Sequence, residues 1–429
     1  MVRIHDTRAR QVEELAAGRA VRMSTCGPAV HRRAHVGDLR DHLLPDLIRR
    51  VLESRRTRVV VCRNITDVGR PSGAGEIPPK LARLHEDAFS SDAAALNLRP
   101  PEHTPRASET VDLTIELIAK LVERGHAYAV PDGPVYFDAR TFPSYGEISG
   151  DPHPGEAAEP GRRGQADWAL WRPGAGELTW ESPWGRGSPG WHAQCSAMSL
   201  RFLGPRFELH TGGVGLRFPH HEAERAQSDA VAGHEVARHW VHGEQVLFDE
   251  RDSGGVVPPL SDVVSAGLDP LAVRLAFLEH RYRQRMDLTW DTLRAADRTL
   301  WRWRSRVAEW AESVSAPLSQ AHVDRVESAF DDDLDTPAAL AILRELEDDG
   351  SVAPGAKFET FLHVDQVLAL DLSIEIGKAR VLPPGASELL EARARARSAE
   401  DWAESERLRG ELAELGVRVS DTPGGQSWA

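Results

Sequence analysis

Two short β-branched runs, AVRMST at Ala20–Thr25 and RVVVCRNIT at Arg58–Thr66, flank a segment in which Leu39, Leu43, Leu47 and Val51 recur on one helical stripe. Strand, helix and strand within about 45 residues form a βαβ unit, and such a unit commits the chain to a parallel sheet. Pro45 falls inside the helical stripe, where it brings no N–H donor, so an interruption or kink is expected there. A second helix is expected in ETVDLTIELIAKLVERGHAY, where Leu113, Leu117 and Leu121 share helical spacing and Gly125 supplies a stop.

Between Pro131 and Gly190 the text changes to PDGP, DPHPGEAAEPGRRG, WRPGAGE and SPWGRGSPG, with short apolar pieces such as VYFDA among them. Turn-rich text of this kind predicts a small inserted subdomain of short strands and loops. From Trp191 to His242 the chain is dense in His, Cys and Gly, and after Asp269 it reads as predominantly helical.

The 429 residues are 41% hydrophobic and 28% charged, which excludes a disordered chain, a collagen and a disulfide scaffold. At roughly 150 residues per domain, about two to four domains are expected. No run of 18 apolar residues occurs, and the start MVRIHDTRARQVEE is charged, so a soluble cytoplasmic protein without a membrane partner is expected. A balance of 52 Lys+Arg against 66 Asp+Glu, net -14, argues against nucleic-acid binding over the whole surface and leaves room for a local basic face. Lysine occurs only at Lys80, Lys120, Lys357 and Lys378, so Leu121 to Ala356 holds no ammonium side chain.

Five segments could carry chemistry. In FPHHEAERAQS, His220 and Glu224 stand four apart and would share one helix face, as ligands for a cation such as zinc or as a surface hydrogen-bonded pair. Cys195 in GWHAQCSAMS and Cys26 in STCGPAV would add two thiolates to a tetrahedral set at the carboxyl edge of the sheet, or serve as small buried residues. Cys62 lies mid-strand and is assigned to the core. AHVGD, with His35, Gly37 and Asp38, opens the first helix, where free N–H groups suit a phosphate; the plainer reading is a cap supplied by Asp38. HTGGVG at His210–Gly215 lets a ligand approach the backbone or simply turns the chain.

Together these segments resemble, in order and wording, the cysteinyl-tRNA synthetase family of class I aminoacyl-tRNA synthetases. CGPAVHRRAHVGD is similar to its first motif block, RNITDV to its second strand, and SPWGRGSPGWHAQCSAMS and HTGGVGLRFPHHEAERAQS to later blocks. LNLRPPEHTPRAS, GHAYAV, AFDDDLDTP and ARSAEDWAESERLRGELAELGVRVSDTPGG extend the likeness over nearly the whole chain. The resemblance implies an α/β fold with a Rossmann-like doubly wound parallel sheet over 1–250, inserted subdomain at about 131–190 included. It further implies a connecting segment at 251–298, a helical bundle resembling an anticodon-binding domain at 299–385, and a helical tail at 386–429. It implies one Zn2+ held by Cys26, Cys195, His220 and Glu224 and binding the thiolate of L-cysteine, Thr66 and Trp191 in the amino-acid pocket, and Gly212 and Gly213 with His35 on the nucleotide. The implied partners are L-cysteine, ATP as substrate and tRNA(Cys), and a monomer is expected.

Three departures touch the ATP half of the implied site. The family's His-Ile-Gly-His signature stands here as His35, Val36, Gly37, Asp38; its Gly-Gly-x-Asp segment as Gly212, Gly213, Val214, Gly215; and its Lys-Met-Ser-Lys-Ser loop as the lysine-free RDSGGVVPPLSD. Arg217 and Arg251 are candidate replacements for a lysine on phosphate. The acidic stretch after RNITD is replaced by GRPSGAG. Basic WRWRSR near Trp301 and RYRQR near Arg281 face either phosphates or solvent. Three functions are compatible: cysteine–tRNA ligation by a divergent copy, ligation of cysteine to a small-molecule amine, or a zinc- and cysteine-binding relative without adenylation.

Overall fold

The computed structural model describes residues 1–15, 18, 20–68, 78–150, 161–249, 256–378, 385–415, 417–422 and 425–428. The GRPSGAG segment and Arg251 lie outside the described residues. Contacts divide the chain into two units, the first comprising 1–297, 320–348 and 364–370, the second 298–319, 349–363 and 371–429. Helices of the 299–385 stretch are thus shared between the units. Among the described residues no helix is long and apolar enough to cross a membrane.

The first unit opens with a hairpin, β1 (Arg3–Asp6) and β2 (Gln11–Glu14), paired antiparallel. Then follow β3 (Ala20–Thr25), α1 (Val36–Ser54), β4 (Arg58–Arg63), α2 (Pro79–Ala95) and α3 (Val111–Glu123). Four short strands, β5 (Ala127–Ala129), β6 (Val135–Phe137), β7 (Trp168–Pro173) and β8 (Gly187–Pro189), form an antiparallel sheet in that order. The chain continues through α4 (Trp191–Leu203), β9 (Phe207–Gly213), α5 (Glu222–Ala232) and β10 (Ala237–Gly243).

Strands β10, β9, β3 and β4 lie side by side in that order, all parallel. From β3 the chain crosses through α1 to β4 on one side, whereas β9 and β10 build outward on the other. The order therefore reverses between β3 and β9, and the crevice beyond the carboxyl ends of those two strands is where an open α/β sheet binds ligands. Cys26 follows directly on β3 and Gly212 and Gly213 end β9, so both segments open into that crevice.

Helix α1 packs on all four strands of this sheet. Its stripe of Leu39, Leu43, Leu47 and Val51 is at most 5% exposed. The interruption expected at Pro45 does not occur: the helix runs from Val36 to Ser54 with Pro45 buried inside it. The missing N–H removes one ladder bond, and the burial of the whole apolar face outweighs that loss. The N-cap is His35 and not Asp38. Asp38 sits at the third helical position, its carboxylate accepting from His35 N at 2.8 Å while its own N–H donates to His35 Nδ1 at 3.1 Å.

The antiparallel sheet is fixed by aromatic packing, with Phe137 stacked on Trp168 at 4.4 Å and Trp171 fully buried, in a core shared with Ile118 and Leu121 of α3 and Ala193 of α4. Deeper in the unit, Asp46 of α1 is buried between two guanidinium groups. Arg50 Nε donates to its Oδ2 at 2.9 Å and Arg274 Nη2 at 2.7 Å. Arg274, with no exposed surface, also donates to the carbonyls of Leu368 and Leu96.

Both basic segments are only partly occupied within the protein, with Arg283, Arg285 and Arg302 exposed. Tyr282 and Arg283 donate to Asp333, Arg281 pairs with Asp335, and in the second unit Trp303 and Arg304 are buried. The second unit also contains the helices Ala386–Ser398 and Trp402–Glu414 and the hairpin Val419–Thr422 with Gly425–Trp428. Arg393, wholly buried there, donates to Asp421 Oδ1 and Gln426 Oε1 at 2.8 and 2.9 Å.

Candidate functional site

Three stretches of chain deliver side chains to the crevice. Cys26 leaves β3 into a loop that turns at Gly27, where a Cβ would overlap the Asn64 carbonyl, so only glycine lets the two strand ends lie this close. Cys195 comes from the second turn of α4. His220 lies in a single wide turn, Arg217–His221, that precedes α5, and Glu224 lies in the first turn of α5. His220 and Glu224 keep the four-residue spacing of a common face although they belong to different helical segments.

One ligand atom from each of Cys26, Cys195, His220 and Glu224 falls within 4.8 Å of the other three, and all four residues are buried. The Cys26 thiol donates to Glu224 Oε1 at 3.2 Å, and His220 Nε2 stands 3.0 Å from the same oxygen. A tetrahedral ion with bonds of about 2.0–2.3 Å needs donors roughly 3.3–3.8 Å apart, so small shifts would seat it. Two buried atoms have no hydrogen-bond partner, His220 Nε2 and Glu224 Oε2. Two sulfurs, one nitrogen and one oxygen converging on one point, the nitrogen without a hydrogen-bond partner, are a donor set that suits zinc.

The protonation states agree with that chemistry. Burial pushes the Cys26 thiol well above its ordinary value and Glu224 up to about 8, while the hydrogen bond with Cys26 lowers Cys195. A cation would reverse the first two shifts by favouring thiolate and carboxylate.

Further histidines surround the cluster, and sequence reasoning passed over them. His192 Nδ1 lies 2.7 Å from His220 Nδ1, which leaves His220 Nε2 facing the cluster. His221 Nε2 lies 3.2 Å from Cys26 Sγ; its other nitrogen meets His242 Nε2 at 2.8 Å, and His242 Nδ1 reaches Thr7 Oγ1 at 2.8 Å. His210, His221, Cys26 and Glu224 form a second, overlapping donor group. Both histidines engage their Nδ1 elsewhere, but His221 Nε2 already has Cys26 Sγ as a hydrogen-bond partner whereas His220 Nε2 has none, which favours the first group. Burial lowers His192, His210 and His221 well below the ordinary imidazole value, so all three are neutral. Their signal in the sequence was the density of His between Trp191 and His242.

One cavity adjoins the cluster, and a second adjoins the first. The first, about 220 Å³, is lined by Cys26, Thr66, Trp191 and His220. The Trp191 ring stacks on His220 at 4.0 Å, and the Thr66 hydroxyl accepts from Asn64 Nδ2 at 2.8 Å. The second, about 330 Å³, is lined by His35, Gly37 and Gly213 to Leu216. Asp38, Asp41 and Leu216 belong to both walls and mark the junction.

Comparison with known proteins decides the family. A family model described as tRNA synthetases class I (C) catalytic domain matches residues 12–298, and one described as Cysteinyl-tRNA ligase anticodon binding domain matches 379–428. The Cysteine–tRNA ligase of Gluconobacter oxydans is 37% identical, covering 100% of this chain and 98% of the relative. That of Alkalilimnicola ehrlichii is 36% identical over 100% and 99%. The chain belongs to the cysteinyl-tRNA synthetase family. In fold it is similar to the methionyl-tRNA synthetase of Mycobacterium tuberculosis bound by methionyl-adenylate, with TM-score 0.57, 15% identity and 90% and 96% of the two chains covered. It is likewise similar to a leucyl-tRNA synthetase of Agrobacterium radiobacter in a ternary complex with tRNA, with TM-score 0.60, 10% identity and 82% and 83% coverage.

Within this family framework the departure at Asp38 has a local remedy. Arg32 donates to both Asp38 oxygens, at 2.7 and 2.9 Å. Against burial, which would raise it, the Arg32 hydrogen bonds hold the Asp38 carboxyl below its ordinary value. The extra carboxylate at the start of α1 is therefore already neutralised by a guanidinium. Arg217 stands in the wide turn before α5 and contributes positive charge near His242.

Proposed function

We propose that the protein acts in the cytoplasm, as a monomer, as an ATP-dependent cysteine–tRNA ligase, with Cys26, Cys195, His220 and Glu224 holding one Zn2+. The observation that carries the reading is the convergence of those four donors beside a cavity lined by Thr66 and Trp191 and open at the carboxyl edge of a parallel sheet. Bound zinc would supply a soft ligand position that takes the thiolate of cysteine and refuses the hydroxyl of serine. Apolar packing alone would separate two side chains so alike by only about 1–3 kcal/mol.

The remaining steps fall to the chain's own residues. Trp191 and Thr66 confine the amino acid so that its carboxylate points toward the junction of the two cavities. His35, Gly37 and Asp38 stand at the amino end of α1, whose positive end favours the triphosphate. Gly212 and Gly213 let the adenosine lie against the backbone of β9. The carboxylate then attacks the α-phosphorus, pyrophosphate leaves, and the 3′-terminal hydroxyl of tRNA(Cys) takes the cysteinyl group with release of AMP. The match of residues 379–428 to an anticodon-binding family model supports tRNA, and not a small amine, as acceptor.

Cysteine-dependent exchange of pyrophosphate into ATP, followed by charging of tRNA(Cys), tests this reading. Both are expected, with serine at least about 1000-fold less effective in exchange; exchange without charging would overturn the tRNA acceptor, and no exchange would overturn the ligase.

A further inference from the structure

The amino acid assigned to the thiol cavity carries three polar groups, and the residues named so far account for two, the thiol and the carboxylate. Its α-ammonium needs a counter-charge within the cavity. The acids lining that cavity are Asp38 and Asp41. Asp38 is taken by Arg32 and His35. The glycine segment Gly212–Gly215 offers no carboxylate.

Asp41 is the group left over. It is half-buried on the wall shared by the two cavities, and neither a hydrogen bond nor an ion pair engages its carboxylate among the described residues. Its neighbour Arg40 spends its guanidinium on four backbone carbonyls, those of Glu244, Gln245, Arg281 and Gln284. The carboxylate lies against the α-carbon of Gly213, where any Cβ would overlap it, so the glycine at the end of β9 is what makes room for it.

We propose that Asp41 is the carboxylate that receives the α-ammonium of the substrate amino acid and so sets the site's preference for an α-amino thiol over a plain thiol acid. Burial, with the charge of Asp38 one helical turn away, pushes Asp41 up to about 7, the mark of a carboxylate without a partner. A bound ammonium would supply that partner.

The inference rests on the cysteine-binding reading above, and calorimetry on the zinc-loaded full chain separates the two. L-Cysteine is compared with 3-mercaptopropionate, which keeps thiol and carboxylate and lacks the ammonium. Wild type is expected to bind cysteine more tightly, and Asp41→Asn to lose about 10- to 100-fold for cysteine, the scale of one charged hydrogen bond, while 3-mercaptopropionate changes by less than about twofold. Retained binding of 3-mercaptopropionate shows that the variant site is intact, and Asp41→Ser serves if the amide variant does not fold. Equal losses for both ligands, or none for cysteine, overturn the role of Asp41 and leave the thiol site standing. A wild type that binds neither ligand overturns both.

Discussion

Cys195→Ser and His220→Ala are each expected to release the bound zinc, lowering metal affinity by more than about 100-fold, the upper end of what loss of a mere supporting partner costs. The donors in question are buried and can find no substitute from solvent. Serine in place of Cys195 offers a hydroxyl that holds its proton, and alanine in place of His220 leaves the imidazole position empty beside Glu224, whose Oε2 already lacks a hydrogen bond. Elemental analysis after dialysis against a chelator would read the loss directly. Zinc retained at one equivalent in both variants would remove the metal site.

The same proteins should lose selection as well as affinity. Without a soft ligand for the thiolate, discrimination between cysteine and serine falls back to cavity shape, about 1–3 kcal/mol. His192→Ala is the graded control. It removes only the group that turns His220 Nε2 toward the cluster, and a 10- to 100-fold weaker zinc site, roughly, is expected with cysteine selection preserved in excess zinc.

How far the sequence reveals this arrangement depends on the range over which each feature is decided. Helix α3 and the β3–α1–β4 unit are legible because spacing within 20 residues or so sets their buried faces. Cys26, Cys195, His220 and Glu224 can be named together because donor chemistry restricts the choice and the surrounding motif blocks repeat a family's wording. What spacing cannot convey is decided by contacts across the fold. Pro45 looks like a break until the burial of all of α1 is known, and Asp38 looks like the cap until His35 is seen to occupy that place. Asp41 reads as one more polar residue in a helix; only the crossing of α1 over the end of β9 brings its carboxylate onto Gly213. The basic run Arg281–Arg285 looks wholly available to phosphate because its acidic partners, Asp333 and Asp335, lie some fifty residues away.

Asp46→Asn is expected to destabilise the first unit by about 3–5 kcal/mol at neutral pH, because the substitution leaves two buried guanidinium groups facing a neutral amide. Arg274 cannot relax toward solvent, since its other donors are committed to the carbonyls of Leu368 and Leu96, and Arg50 is likewise committed to those of Asn97 and Gln366. The pH dependence gives the loss its signature. Burial alone would raise Asp46, but Arg274 and Arg50 hold it below its ordinary value near 3.9. A carboxyl lowered on folding contributes stability that is complete above its unfolded value and vanishes as pH falls through the folded one. The gap between wild type and Asp46→Asn in urea unfolding should accordingly stay constant from about pH 5 upward, narrow below about pH 4 as the unfolded carboxylate takes up its proton, and be smallest once the native one has done so. A gap under about 1 kcal/mol at pH 7, or one that widens on acidification, would mean that the two arginines are held by the carbonyls alone and that Asp46 is dispensable to the core.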